Sequence, residues 1–331
     1  MKSFSNLINN VLVKSLKKYV IVFVLIFIIL VFGIISPVFL SVNNLVTILN
    51  QNAYLIIATV GVTMVMISGG TDLSVGYQIS LVGVVTTILI KWVGLPIYIS
   101  ITIGLLVGSF LGFINGFASV KLKVHPMITT LGTMTIFQGI SYILSQSKAI
   151  YDLPEGFKFI GQGYIGPIPF SVIMMIVIAL IATFILQKTY FGRYIYAIGG
   201  NPEAARLAGI NVNAMKVIVF SISGLFVAIA AIVLVGRSGA ANSSMGPGTE
   251  FSAITAAVLG GVSFKGGEGE VWAVVTGVLI LGVLANGMQI VGFGIYPQYI
   301  VKGLILLAAI GFDTYQKQVR VKKVRVEKAV S

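Results

Sequence analysis

The sequence predicts an all-α integral membrane protein of about ten transmembrane helices, with broken or re-entrant glycine-rich segments among them. Three observations carry this. Of 331 residues, 57% are hydrophobic and only 9% charged, against roughly 25% charged in a soluble domain. The apolar runs are each long enough for a span of about 20 residues. The basic residues gather in the short stretches between those runs and at both tails. With no cysteines, disulfide and thiol chemistry are excluded.

The elements follow in order. The apolar run after Lys14, Lys17 and Lys18 is too long for a signal-peptide core, and no A-x-A site follows it. It reads as a mature first span. Residues 19–90 carry one charge, Asp72, and leave room for three spans. Residues 92–120, 126–147, 159–187 and 217–236 hold one each. Residues 238–264 hold one, interrupted near Glu250. Residues 271–312, with Lys302 inside, hold two, divided by turns near Val291–Gly294.

Charge sets the orientation. With the N-terminus inside, Lys2, Lys121, Lys123, Lys188, Arg193, Arg206, Lys216, Lys265 and the tail place most of the 22 basic residues on the inner side. The positive-inside rule therefore predicts N-in and C-in. The net charge of +13 is topological, not a nucleic-acid-binding stripe. A single transmembrane domain over 1–315 is followed by a basic cytoplasmic tail, 316–331, which reads as a solvated or headgroup-binding end. The longest outer loop, from Ser145 to Pro169, either contacts an extracytoplasmic partner or merely joins two spans.

The loop 190–216, YFGRYIYAIGGNPEAARLAGINVNAMK, is then cytoplasmic. Asn201 is a good N-cap, Pro202 suits the first helical position, and Glu203 complements the dipole. Ala204, Ala205 and Leu207 favour helix, and Gly209 stops it. About seven or eight residues are too few to stand alone in water. The helix either docks on another chain or is a capped turn between spans.

Polar groups within the apolar runs are the other candidates. Asp72 and Ser74 lie in Gly69-Gly70-Thr71-Asp72-Leu73-Ser74-Val75-Gly76, where they either cap the third span or line a polar path. The run from Gly260 to Glu270 has the glycines of a phosphate loop without its G-x-x-x-x-G-K-[ST] order, and reads as a re-entrant turn or broken helix. Asn115, Gln138, Asn286 and Gln289 fall inside spans, where amides either hold sugar hydroxyls or glue helices together. With Asp72, Ser74 and Glu250 they make up the pathway or gate candidates. His125, the one histidine, stands beside Pro126 and reads as a turn residue. Trp92 and Trp272 read as interface anchors. No catalytic constellation, metal cluster or cofactor motif is present, so the chain is not expected to be an enzyme.

Taken together, five segments carry a resemblance. They are GGTDLSVG at 69–76, LKVHPMITTLGTM at 122–134, FGRYIYAIGGNPEAARLAGINV at 191–212, TEFSAITAAVLGGVSFKGGEGEVW at 249–272 and YPQYIVKGLILLAAIGFD at 296–313. In this order they resemble the membrane permease subunits of bacterial ABC importers for simple sugars, the ribose/galactose/xylose group, over nearly the whole chain. GTDLS followed by Gln78, and GGVSF, are more similar to the galactose/methylgalactoside branch. Lys265 and Glu268 depart from the small or neutral residues the resemblance implies there.

The resemblance implies a ten-span permease working as a homodimer in the bacterial cytoplasmic (inner) membrane. It implies that Gly200, Asn201, Pro202, Glu203, Ala204, Ala205, Arg206 and Gly209 form a coupling helix seated on a cytoplasmic ATP-binding subunit. A small sugar would arrive on an extracytoplasmic sugar-binding protein, and ATP would be used by the partner, with no cofactor bound by this chain. The competing class is an ion- or proton-coupled secondary transporter. It needs an acid well inside the bundle, and Asp72, Glu250 and Asp313 are expected near segment ends. A membrane enzyme or receptor lacks both reactive residues and a soluble sensory domain.

Overall fold

The computed structural model describes the backbone of residues 2–330 and the side chains of residues 19–311, 314 and 315. The expectations for Lys2, Lys14, Lys17, Lys18, Asp313 and the basic side chains of 316–331 fall on side chains outside that set. The chain is nearly all helical. Six helices are long and apolar enough to cross a membrane: α2 (Val42–Ile67), α4 (Ile97–Leu122), α5 (Pro126–Ser145), α7 (Phe170–Lys188), α10 (Val212–Ser238) and α12 (Val271–Ile290). Four shorter apolar stretches join them. These are residues 19–35 of α1 (Lys2–Ile35), α3 (Val75–Lys91), α11 (Thr249–Leu259), and residues 295–311 of α13 (Ile295–Val330).

Helix α10 is the centre of the bundle. It packs most extensively on α4 and α2, then on α3. The reason lies in spacing. Gly104, Gly108, Gly112 and Gly116 recur every fourth residue along α4 and so share one helix face. A Cβ on Gly108 would stand 2.7 Å from the Gly224 carbonyl oxygen, and one on Gly112 3.1 Å from the Gly224 Cα. One on Gly116 would stand 2.8 Å from the Val217 Cα. Backbones this close gain van der Waals contact over their whole length, which is what joins helices where lipid is as apolar as leucine. The stripe is plain in the sequence, and its partner on α10 is not.

Three departures from the expected elements have local causes. Residues 159–169 are not part of a span. Instead α6 (Glu155–Gln162) and a two-stranded hairpin, β1 (Tyr164–Ile165) with β2 (Ile168–Pro169), precede α7. Pro169 forms the N-cap of α7 and fixes its start. Residues 239–248 turn rather than cross, so α11 is only 11 residues long. Tyr190–Gly200, expected as loop, is an 11-residue helix, α8, whose N-cap Thr189 accepts the Gly192 N–H at 3.2 Å.

Two glycine-rich stretches are non-helical. Residues 68–74 connect α2 to α3, and residues 260–270 connect α11 to α12. His125 is the N-cap of α5, its Nδ1 accepting the Met127 N–H at 3.3 Å. That agrees with the reading of it as a turn residue.

Candidate functional site

Asp72 lies in the extended entry to α3, with 0% exposure. Its Oδ1 accepts the backbone N–H of Ser74 at 2.8 Å and the Ser74 hydroxyl at 2.6 Å. Its Oδ2 accepts from Gln78 Nε2 at 3.0 Å and, at the limit of a hydrogen bond, from Asn115 Nδ2 at 3.5 Å. Ser74 Oγ in turn accepts from Gln78 Nε2 at 2.7 Å and Asn115 Nδ2 at 2.8 Å. Thr133 on α5 closes the ring by donating to Asn115 Oδ1 at 2.6 Å. Thr130 accepts the Leu73 N–H at 3.0 Å and so holds the extended strand itself. Three elements, α3, α4 and α5, thus converge on one carboxylate.

Ser74 occupies the N-cap position of α3, yet its side chain bonds no helix N–H. The hydroxyl is spent on Asp72, Gln78 and Asn115 instead. A buried charge is tolerable only when its lone pairs are met by donors, and the N-terminus of α3 adds a favourable dipole. Gln78 Oε1 alone is left without a partner.

Glu250 is the second buried acid, 2% exposed in the first turn of α11. Its Oε1 accepts the Gly248 N–H at 3.0 Å, while Oε2 has no partner. It lies against the start of α3: a Cβ on Gly76 would overlap Glu250 Oε2 and stand 2.7 Å from the Gly246 carbonyl oxygen. Gly246 donates to Ser80 at 3.1 Å. Both acids do lie at segment ends, as expected, and both ends are buried. The glycine-rich breaks shorten α3 and α11, and their acidic starts are drawn into the bundle.

The other amides lie elsewhere. Asn286 exchanges two 3.0 Å hydrogen bonds with Asn44, clamping α12 to α2. Gln138 is half-buried on α5 and Gln289 is exposed at the end of α12. Sequence reading missed Thr130, which holds Leu73 beside the acid, and Thr133, which holds Asn115, and noted Gln78 only through the resemblance. Only the i, i+4 spacing of Ser74 and Gln78 could have signalled a link.

The second site is α9 (Pro202–Leu207). Asn201 Oδ1 accepts from Glu203 N at 3.1 Å and Ala204 N at 3.0 Å. The helix is six residues, shorter than expected, because Ala208 caps it and Gly209 turns with φ +85°. Ile210 N–H closes the end onto the Ala205 carbonyl at 3.0 Å. Ala205 alone is buried, against Ile198 and Val212. The outer face presents Leu207, 90% exposed, and a Glu203–Arg206 pair held by two 2.8 Å hydrogen bonds. A groove of about 370 Å³, lined by Tyr194, Gly209, Ile210, Asn211 and Met215 among others, opens beside it.

Helix α8 anchors this unit. Tyr196 donates to the Gly269 carbonyl at 2.7 Å. Burial, with the Glu270 carboxylate second, raises the Tyr196 pKa, so the hydroxyl stays a donor. No group of three or more metal-ligating side chains occurs among the described residues.

Residues 44–310 match the family described as branched-chain amino acid transport system / permease component. The chain is 39% identical over 295 residues to the ribose import permease protein of Haemophilus influenzae, covering 88% of this chain and 91% of that one. It is 39% identical over 297 residues to the galactose/methyl galactoside import permease protein of Escherichia coli K12, covering 84% and 88%. It is 40% identical over 260 residues to the L-arabinose transport system permease protein of the same strain, covering 78% and 79%. No solved structure matches.

Proposed function

Because the chain belongs to the permease family of ABC importers, with sugar permeases as its relatives, we propose that it forms the translocation pathway of an ATP-driven monosaccharide importer in the bacterial inner membrane. It is a transport subunit and not an enzyme. ATP is bound and hydrolysed by a separate cytoplasmic subunit, and sugar is delivered by an extracytoplasmic binding protein. The permease works as a homodimer.

The observation that carries the coupling is α9. A helix with both ends satisfied, one buried alanine and an outer face of Leu207, Glu203 and Arg206 is a rigid projection shaped for contact. The reading of Gly200, Asn201, Pro202, Glu203, Ala204, Ala205, Arg206 and Gly209 as the ATPase-coupling unit rests on this. Ten apolar segments of a single domain over 1–315 match the ten-span reading in number, with α11, at 11 residues, entering the membrane as a broken segment and not crossing it alone, and the inward bias of basic residues supports N-in and C-in. Asp72, Ser74, Asn115 and Glu250 are proposed as pathway or gate residues. The Asn286–Asn44 clamp points to a structural role for Asn286.

One observation favours the ion- or proton-coupled alternative: Asp72 is a fully buried acid inside the bundle, which such a transporter needs. Its oxygens accept from Ser74, Gln78 and Asn115, a geometry that ties the acid into the packing of α3 against α4, and that favours the importer. Proteoliposomes carrying the purified complex separate the two. Uptake of labelled ribose, galactose or arabinose that requires internal ATP and binding protein, and survives a protonophore, supports the importer. Uptake without ATP that a protonophore abolishes would overturn it.

A further inference from the structure

We propose that Gly199, Gly266 and Gly267, fastened by Tyr196, form the joint through which movement of α9 reaches the loop carrying Asp72. The inference rests on reading α9 as the ATPase contact and names the residues that act between that contact and the pathway.

Three chain segments from distant parts of the sequence meet here backbone to backbone. Gly69 ends α2 with φ +84°. Gly266 and Gly267 turn with φ +90° and +78°, and the Gly267 N–H donates to the Ile67 carbonyl at 2.8 Å. A Cβ on Gly266 would stand 2.8 Å from the Gly69 Cα and 3.0 Å from the Gly199 Cα. One on Gly267 would stand 2.9 Å from the Gly200 Cα, and one on Gly199 would overlap the Ile67 carbonyl oxygen. No side chain lies between the segments to absorb a displacement by changing rotamer, and packed interiors shift between discrete arrangements instead of deforming.

The joint is tied at both ends. On the cytoplasmic side, Asn201 N–H donates to the Ala197 carbonyl at 3.0 Å, so α9 continues directly from α8. Tyr196 fastens the same helix to Gly269 at 2.7 Å. On the membrane side, Gly69 leads into Thr71 and Asp72, and the Gly260–Glu270 turn leads into α11, whose other end carries Glu250 beside Gly76. Both routes from the joint therefore end at the two buried acids.

Two variants test this in the reconstituted complex with its ATPase subunit and binding protein, using labelled ribose, galactose and arabinose. Tyr196→Phe removes the hydroxyl with little change of volume. Gly199→Ala, at a backbone angle alanine adopts, inserts a methyl against Ile67. Both are expected to retain the ATPase subunit and to hydrolyse ATP. Sugar moved per ATP should fall about two- to tenfold in Tyr196→Phe, the worth of one hydrogen bond, and further in Gly199→Ala. A ratio equal to wild type in both assembled variants would overturn the proposal. If Gly199→Ala fails to assemble, Tyr196→Phe alone decides. A wild-type chain that retains no ATPase subunit would overturn the α9 reading instead, a distinct result.

Discussion

Asp72 Oδ1 takes both donors of Ser74, the backbone N–H at 2.8 Å and the hydroxyl at 2.6 Å. One residue thus binds the acid through main chain and side chain together, and the extended entry to α3 is fixed around it. Asp72→Ala leaves the N–H and hydroxyl of Ser74 without their acceptor in a buried site, at a cost of about 1–3 kcal/mol for each unsatisfied group, while Gln78 and Asn115 keep only their bonds to the Ser74 hydroxyl oxygen. We expect that variant to lose monodispersity and tens of per cent or more of its yield in detergent. Asp72→Asn keeps the shape, and reorienting the Gln78 amide brings its unpartnered Oε1 to the new donor. It should remain folded by thermal unfolding while uptake falls.

The Asn44–Asn286 pair predicts a different pattern. Asn286→Leu removes two hydrogen bonds between α2 and α12. Such bonds average about 0.6 kcal/mol in a membrane protein and reach about 1.7. The melting temperature should drop by a few degrees with uptake per folded protein unchanged. Uptake lost without a change in stability would return Asn286 to the pathway.

The glycine stripe on α4 sets the spacing to α10. Gly112→Leu would drive a side chain into the Phe220 carbonyl and Gly224. Overpacking typically costs about 1–3 kcal/mol and occasionally more, and this contact is backbone to side chain along a central helix. Size-exclusion chromatography should show aggregated or degraded protein. Gly132→Leu on α5, where a Cβ meets nothing within 4 Å, should stay monodisperse.

What could be read from the sequence follows the range of each interaction. The caps of α9 were legible because Asn201, Pro202 and Gly209 act within a few residues of one another. The break at 68–74 was legible because its glycines are adjacent. The ring around Asp72 was not, since Asn115 and Thr133 reach it from other helices. The same holds for the depth of Glu250. Hydropathy shows it only as an interruption of the apolar run 238–264, and the packing of Gly246 on Gly76 sets how deep it lies. Helix α8 was missed because Gly192, Gly199 and Gly200 lower its propensity, and docking on the glycine turns overrides that cost.

The outer face of α9 should act through contact rather than stability. The Glu203–Arg206 pair is exposed, with side chains 73% and 55% accessible, so its contribution to folding is about 0–1 kcal/mol. Arg206→Ala and Leu207→Asp should melt like wild type yet lose affinity for the ATPase subunit, read by titrating that subunit onto immobilised permease.

The most direct test is co-purification from mildly solubilised membranes, comparing the wild-type chain with Ala205→Pro. Proline at this position removes the Ala205 N–H bond to the Asn201 carbonyl, 3.0 Å long, and breaks the helix at about 3 kcal/mol. The account predicts that wild type brings down a nucleotide-binding subunit and that Ala205→Pro, inserted to the same level, does not. A wild-type chain recovered without any ATPase, or an Ala205→Pro chain that retains it fully, would contradict the account.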